Sequence, residues 1–363
     1  MSKEKNNETE KYLIGGADVG TGTLLFAKMN ENNVEVNKMR DMFIYIQDNQ
    51  ISAAEMASSK LDYITQYEDD GQIEFHAVIG EDALKMANIF NSKINRPMAK
   101  GMLSPNEIHA APIISSMFKT IIGEEVKGGQ VVFSVPSEPM DLEEGEVAPL
   151  IFHTEMFKKI FKNIGFNEAI PLNEGMAVIY SECSKENFSG LGISFGSGQI
   201  NCCLSYKGTQ VLTFSLGRSG DWIDSFAASS CGLLPNKITT IKEKSDFSIQ
   251  VPYTASTNKK ERIVRQSISF AFENLINYCI NNITDYLNEN SDSLEFDEEE
   301  FPIILAGGTS LVGGFEEKFK EIFKDVKNFP LNISEIRHAK NPIESVSVGC
   351  LVYSQWIFNK NNA

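Results

Sequence analysis

Residues 12–28, YLIGGADVGTGTLLFAK, place an apolar run, an aspartate and a glycine-rich turn in immediate succession. The apolar runs at 12–14 and 24–27 predict two buried strands, and the turn between them predicts a hairpin. Glycine admits positive φ and leaves room for backbone N–H groups to approach an anion. The residues of this tip are Gly20, Thr21, Gly22 and Thr23. The pattern indicates a phosphate-binding hairpin, although a plain hairpin with a capping aspartate would look the same.

A second segment repeats this plan near the middle of the chain. Residues 191–208, LGISFGSGQINCCLSYKG, again give a strand, a Gly-x-Gly turn and a strand. Two similar hairpins at the starts of two halves predict an internal repeat. Further on, residues 302–308, PIILAGG, predict a buried strand that runs into a glycine turn and a helix, which is where ligands usually bind in α/β proteins.

Composition predicts an ordinary soluble protein of two domains. The chain has 363 residues, 42% of them hydrophobic, which is enough to bury large cores. A net charge of −16 opposes binding to nucleic acid or anionic membrane. No window approaches the about 18 apolar residues of a membrane span, and the polar first eleven residues predict neither a leader nor a membrane anchor. We therefore expect a cytoplasmic protein.

The six cysteines show no CxxC pairs or other metal-binding spacing. They are expected to be small core residues in a reducing compartment. Cys202 and Cys203 are adjacent on a predicted strand, so their side chains should point to opposite faces.

The remaining sequence alternates predicted strands and helices. Residues 33–70 are polar and are expected to be irregular, and residues 73–90 predict a strand followed by a short helix, together forming an inserted subdomain. The spacing at Ile108, Ala111 and Ile114 predicts a helix over 105–122. The other predicted elements are strands at 131–135, 169–170 and 211–216, a helix over 152–163, helices starting near 174 and 217–224, and a long helix over 264–287.

Taken together, these motifs resemble the superfamily of actin, heat-shock chaperone ATPases and sugar kinases. Residues 15–23 resemble its first phosphate loop, 194–199 its second, and 306–315, AGGTSLVGGF, its adenosine motif. Residues 241–244, IKEK, resemble an actin segment near adenine and ribose, and RPMAKGMLS at 96–104 resembles a segment of MreB and magnetosome-filament proteins. The resemblance is strongest to these prokaryotic filament proteins.

This resemblance implies an α/β fold of two related RNase H-like domains, each a mixed sheet flanked by helices, with a nucleotide cleft between them. The implied first lobe is 1–189 with 339–363 and an insertion at about 41–98, and the second is 190–338 with an insertion at about 225–262. The implied ligands are ATP or ADP and Mg²⁺. The nucleotide-binding residues it implies are Gly20, Thr21, Gly22, Thr23, Gly196, Ser197, Gly198, Gln199, Lys242, Glu243, Gly307, Gly308 and Thr309.

Two carboxylates are implied as catalytic. Asp18 would hold Mg²⁺ through water, and Glu174 would position the water that attacks the terminal phosphate. An acidic residue favoured by a helix dipole is the alternative interpretation of Glu174. Asp221 and Asp224 fall near a nucleotide-flanking loop but are also typical of an N-cap with a first-turn acid.

The sequence departs from the family pattern at two positions of the second loop. Ser194 stands where an aspartate usually supports the metal, and Gln199 replaces a threonine. Since serine brings no charge, we expect weaker metal binding or slower hydrolysis rather than loss of nucleotide binding.

The implied function is an actin-like cytoskeletal ATPase that self-associates into filaments, with unknown cargo or regulators. The alternatives are a non-polymerising chaperone-like or sugar-kinase-like ATPase, and a nucleotide-binding scaffold with weak hydrolysis.

Overall fold

A computed structural model of the chain describes residues 12–46, 58, 60–68, 70–90, 93–141, 148–250, 258–291, 294, 296 and 299–361. The strands are β1 (Leu13–Val19), β2 (Thr23–Asn30), β3 (Asn33–Arg40), β4 (Phe43–Ile46), β5 (Tyr63–Tyr67), β6 (Ile73–Ile79), β7 (Met98–Ala99), β8 (Met102–Leu103), β9 (Gly129–Val135), β10 (Glu168–Asn173), β11 (Gly190–Phe195), β12 (Ile200–Tyr206), β13 (Thr209–Leu216), β14 (Glu300–Ala306) and β15 (Asn332–His338). The helices are α1 (Gly80–Phe90), α2 (Ala110–Ile122), α3 (Leu150–Ile164), α4 (Glu174–Glu182), α5 (Gly220–Cys231), α6 (Pro235–Lys242), α7 (Lys259–Glu289), α8 (Phe315–Phe323) and α9 (Ser345–Asn361), with a short 3₁₀ helix at Gly308–Leu311.

Two five-stranded sheets share one topology. The first has the order β10-β9-β1-β2-β3 and the second β13-β12-β11-β14-β15. In each, a three-stranded antiparallel meander, β1-β2-β3 or β11-β12-β13, is extended by two strands that run parallel to its first strand. The expected internal repeat of the two glycine hairpins is therefore a repeat of whole sheets, and the α/β fold with two mixed sheets is confirmed.

Helices cover these sheets and enclose three main cores. One core lies between the first sheet and helices α2 and α3, and a second lies between the second sheet and helices α5, α7 and α8. A third core is formed by α4 and α9, and it includes Val132 of the first sheet with Cys203 and Ile304 of the second. This third cluster joins the two halves of the molecule behind the cleft.

The contact between α4 and α9 depends on glycine. A Cβ placed on Gly349 of α9 would lie 2.5 Å from the carbonyl carbon of Ala177 in α4 and closer still to its oxygen. Backbone atoms cannot move aside as a side-chain end can, so only glycine lets the two helices approach this closely.

The inserted segment contains more strands than the sequence predicted. Instead of an irregular stretch over 33–70, β3 pairs with β2 from Thr23↔Arg40 to Asn30↔Asn33, and β4, β6 and β5 form a separate antiparallel sheet. The polar composition of β3 reflects its position at the sheet edge, where its residues are only half-buried or exposed. Part of the stretch, residues 47–57, lies outside the described residues.

The helix predicted over 105–122 begins later, at Ala110, and the expected inward position of Ile108 is wrong, because this side chain is 85% exposed. The vicinal pair Cys202 and Cys203 behaves as expected. Both thiols are buried, Cys202 in the core beneath the second sheet and Cys203 in the core of α4 and α9. All six cysteines are free.

Within the ranges given above, no helix combines the length and the apolarity that crossing a membrane requires.

Candidate nucleotide-binding site

The tips of the two glycine hairpins meet at the centre of the molecule. A Cβ on Gly22 would lie 2.8 Å from Cβ of Ser197, and a Cβ on Gly198 would lie 2.6 Å from Oγ1 of Thr21. Oγ1 of Thr21 accepts a hydrogen bond from the backbone N–H of Gly101 at 2.9 Å, which fixes the first tip against the β7–β8 hairpin. The glycines therefore allow an approach of the two halves that any larger residue would prevent.

A small chamber of about 60 Å³ lies between these tips. Its walls carry the carboxylates of Asp18 and Glu174 together with Ser194 and Gln199. Gln199 is only 2% exposed, and neither its Nε2 nor its Oε1 has a hydrogen-bond partner. A buried amide without partners is costly, so its donor and acceptor favour a polar ligand in the chamber.

The two carboxylates of the chamber are held by short polar contacts. Ser134 Oγ donates to Asp18 Oδ1 at 3.1 Å. Ser194 Oγ donates to Glu174 Oε1 at 2.6 Å, and Asn201 Nδ2 donates to Glu174 Oε2 at 2.8 Å. Asn173, the last residue of β10, caps α4 by accepting from Met176 N at 3.1 Å, which places Glu174 at the start of the helix.

Burial dominates the electrostatics of this pair. Burial raises the pKa of Glu174 to about 7, and the hydrogen bond from Ser194 opposes part of that rise. Burial, followed by the charge of Glu174, raises the pKa of Asp18 well above its usual value. Two buried carboxylates that disfavour each other's charge are stabilised by a cation between or beside them.

The residues of the chamber fit Mg²⁺, because a cation would stabilise the two buried carboxylates. Among the described residues there is no group of three or more histidine, cysteine or acidic side chains that could form a complete ligand set. Mg²⁺ typically needs only one or two protein carboxylates, because water and substrate phosphates provide its other ligands. Asp18, with Glu174 nearby, would supply that carboxylate charge.

A larger cavity of about 660 Å³ adjoins the chamber and shares Gly22, Thr23, Ser197, Gly308 and Ile343 with it. This volume lies within the range of small-molecule sites, about 300–1,000 Å³. Its floor includes the turn after β14, where Gly307 has φ +87° and a Cβ would lie 2.6 Å from the carbonyl carbon of Phe195.

Helices α5 and α6 form the far wall of this cavity. Lys242 Nζ forms an ion pair with Asp224 Oδ1 at 2.7 Å and donates to Gly220 O at 3.2 Å, so this lysine is held at the end of α6. Thr309 Oγ1 donates to Gly196 O at 2.8 Å, which ties the 3₁₀ helix to the second glycine tip.

Charged residues of the two halves pair across the mouth of the cavity. Arg40, at the end of β3, donates from Nη1 to Glu243 Oε1 at 3.1 Å, donates from Nη2 to the other oxygen of Glu243, and also pairs with Glu81. Arg96 forms an ion pair with Asp221 Oδ1 at 3.0 Å and donates to the carbonyl oxygen of Thr21 at 3.3 Å.

A third set of polar contacts joins α1 to α6. Asn88 of α1 donates to Thr240 Oγ1 at 3.2 Å and accepts from Asn236 Nδ2 at 3.1 Å, while Lys237 Nζ donates to the carbonyl oxygen of Asn88 at 2.9 Å. These contacts connect the inserted subdomain to α6.

Every residue predicted for the site lines one of these two spaces. Asp18, Glu174, Gly307 and the residues of both tips line the chamber, Lys242, Glu243 and Thr309 line the cavity, and Gly308 lines both. Their roles in binding and catalysis stay predictions. The structure also gives Asp221 and Asp224 a place in the cavity wall. The N-cap alternative is wrong, because Ser219 occupies the N-cap position of α5, while Asp221 does lie in the first turn.

Several polar residues in or beside this site, notably Arg40, Asn88 and Asn201, were not predicted from the sequence. None belongs to a glycine motif, and each contacts its partners only because separate segments meet in space. Arg96 was part of a recognised segment, RPMAKGMLS, but its contacts with Thr21 and Asp221 had no sequence signal.

Two lobes of one topology, with a cavity and a polar chamber between them, define the fold of this protein as actin-like. Solved structures agree. A MamK double helical filament gives a TM-score of 0.65 at 16% identity over 95% of this chain and 99% of that one. MreB5 of Spiroplasma citri bound to ADP gives 0.61 at 15% identity over 97% and 99%. The ethanolamine utilization protein EutJ from Carboxydothermus hydrogenoformans gives 0.55 at 13% over 96% and 92%. At these identities the similarity shows the fold alone.

The family follows from the sequence. The volactin family model matches residues 14–354, so this chain belongs to the volactin family. No curated protein sequence matches it.

Proposed function

We propose that this protein is an actin-like cytoskeletal ATPase that binds ATP with Mg²⁺ between its lobes, assembles into filaments and hydrolyses the nucleotide. The observation that carries the proposal is that two spaces share five lining residues: a cavity large enough for a nucleoside adjoins a glycine-lined chamber with two buried carboxylates. That arrangement suits a molecule with an organic body and a compact anionic end. MreB5 of Spiroplasma citri, a structural neighbour, has been solved bound to ADP and to AMPPNP.

Different groups of the chain would contact different parts of the ligand. Backbone N–H groups of the tips around Gly22 and Gly198 would bind phosphate oxygens, because no side chain obstructs them. Lys242 and Glu243 would lie beside the base and ribose. The unpaired amide of Gln199 would donate to the phosphate end of the ligand.

Glu174 is suited to hold a water molecule for attack on the terminal phosphate. Its two hydrogen bonds fix the carboxylate, and a carboxylate has about four lone-pair sites, so acceptor positions remain for the water. A pKa near 7 also suits a group that takes up a proton at neutral pH. Bound Mg²⁺ would neutralise charge on the phosphates, and Asp18 would hold it through water.

Assembly would follow from closure of the lobes. A ligand that contacts both tips favours the closed arrangement by its differential affinity for that state. A fixed lobe orientation allows head-to-tail contacts that do not close on themselves and hence open filaments. Hydrolysis would then weaken the closed state and promote disassembly.

The test is sedimentation at high speed with ATP and Mg²⁺, combined with negative-stain microscopy and measurement of released phosphate. Filaments that form with ATP, and phosphate release that rises with assembly, are the expected results. A monomeric protein at all salt and protein concentrations would refute polymerisation. Failure to bind ATP in equilibrium dialysis would refute the whole proposal.

A nucleotide-binding scaffold with weak hydrolysis is the second candidate. It is favoured by Ser194, which lacks the charge that a carboxylate would offer the metal and which is engaged with Glu174. ATP-dependent filaments without measurable phosphate release would support this alternative.

A further inference from the structure

The groups that hold Glu174 belong to the second sheet, against which the start of α4 packs. Glu174 is the first residue of α4 and follows β10 of the first sheet. Its two hydrogen-bond donors, Ser194 on β11 and Asn201 on β12, belong to the second sheet. They are direct partners in the antiparallel pairing of those strands, so their side chains lie next to each other on one face.

Asn201 is fixed in turn by the first lobe. Its Oδ1 accepts a hydrogen bond from the backbone N–H of Ser137 at 3.1 Å while its Nδ2 donates to Glu174, so the orientation of the amide is determined from both ends. Ser137 Oγ accepts from Asn173 Nδ2 at 2.9 Å, and Asn173 caps α4. Both Ser194 and Asn201 are 2% exposed, so water does not compete for these bonds.

The side chain at position 194 determines which group faces the Glu174 carboxylate. A serine hydroxyl donates to the Glu174 carboxylate, whereas an aspartate at the same place would set a second negative charge about one hydrogen-bond length from it in a buried site. A serine and an acidic residue at position 194 therefore have opposite effects on Glu174.

We propose that Ser194 and Asn201 are positioning residues for hydrolysis, a cross-strand pair of the second sheet that holds the Glu174 carboxylate at the start of α4 in its working orientation. The inference rests on the proposed function. The contact is a fixed part of the site, because Gly175, the residue after Glu174, packs on β12, where a Cβ would lie 2.7 Å from the backbone nitrogen of Cys203. The positioning role makes Ser194 a functional replacement for the family aspartate rather than only a loss of metal charge.

The decisive variants are Ser194→Ala, Ser194→Asp and Ser194→Thr. We expect Ser194→Ala to lower kcat for phosphate release about tenfold, and Ser194→Asp to lower it further, about a hundredfold, with KM for ATP within about threefold of wild type. Ser194→Thr keeps the hydroxyl and should retain most of the rate. Ser205→Ala is the matched control, since it removes a buried hydroxyl of the neighbouring strand β12, which donates to Phe188 O at 2.8 Å away from the chamber.

A pair of variants at Asn201 separates positioning from folding. Asn201→Asp keeps the acceptor for Ser137 N but replaces the donor to Glu174 by a carboxylate, and it should lower kcat about a hundredfold and lower the melting temperature. Adding Glu174→Gln places an amide N–H donor at position 174, where it can donate to the new carboxylate at position 201. The double variant should therefore recover the melting temperature while phosphate release stays low.

Each result has a definite meaning. A Ser194→Asp variant as fast as wild type or faster, or a change in KM with kcat preserved in the Ser194 and Asn201 variants, would overturn the positioning role. A wild-type protein that binds ATP without turnover would also overturn it, while nucleotide binding would stand. Absence of ATP binding in the wild type would overturn both this inference and the proposed function.

Discussion

Release of nucleotide should be controlled in part by Arg40 at the mouth of the cavity. Its guanidinium pairs with Glu81 in its own half of the molecule and with Glu243 across the cleft, and only the second pair has to break when the lobes separate. Arg40→Gln removes the positive charge that pairs with Glu81 and Glu243 and keeps a polar side chain at the same position. We expect this variant to release bound nucleotide faster than wild type.

The size of the effect follows from the exposure of the pair. The Arg40 side chain is 24% exposed and that of Glu243 41%, so solvent screens the interaction substantially. Such pairs contribute about 0.2–1 kcal/mol, and bidentate geometry favours the upper end of that range. Lowering the barrier to opening by about 1 kcal/mol accelerates release about fivefold.

The assay is displacement of a fluorescent ATP analogue by excess ATP in a stopped-flow instrument, at low and at high ionic strength. Wild-type release should speed up with salt, because exposed ion pairs are screened, and the Arg40→Gln variant should respond less. Arg337→Gln is the matched control. Arg337 is 27% exposed and also pairs with two carboxylates, Glu182 and Glu335, but lies outside the cavity. Equal release rates for wild type and Arg40→Gln, or an equal effect of Arg337→Gln, would refute the reasoning.

Three further outcomes test the site and its support. Glu174→Ala should lower phosphate release at least about a hundredfold while ATP still sediments with the protein, because binding groups are retained; normal hydrolysis would exclude Glu174 from catalysis. The pKa of Glu174 is raised from its ordinary 4.5 to about 7, so the folded nucleotide-free protein keeps a proton there that the unfolded chain loses. The contribution of this group to the free energy of unfolding should therefore fall by about 1 to 3 kcal/mol from pH 4.5 to 7.5. Urea titrations should show a smaller fall for Glu174→Gln, and an identical pH dependence would contradict the shift. Gly349→Ala should cost about 2 kcal/mol or more in urea unfolding, because the new methyl group meets the Ala177 backbone, and unchanged stability would contradict that close contact.

Much of the fold could be predicted from local signals. The glycine turn after Asp18 and the one after Ser194 both join strands in the structure, and the strand at 302–306 runs into its glycine turn as expected. Such features depend on residues close in sequence, where turn chemistry and apolar periodicity act directly. Strand β3 was missed because it is a polar edge strand whose pairing comes from β2 rather than from its own composition.

The candidate site also combines features that could be predicted from the sequence with features that could not. The sequence alone determined the two glycine hairpins, the acidic residue at the start of α4 and the strand-to-turn junction at Gly307, because each is a short pattern with its own conformational requirement. Only the tertiary structure decided what those patterns face. Arg40 and Glu243 are 203 residues apart, and Asn201 reaches Glu174 across 27. Contacts of this kind arise when two sheets of the same topology are packed against a shared pair of helices, and no local pattern in the chain encodes the partner that packing brings into reach.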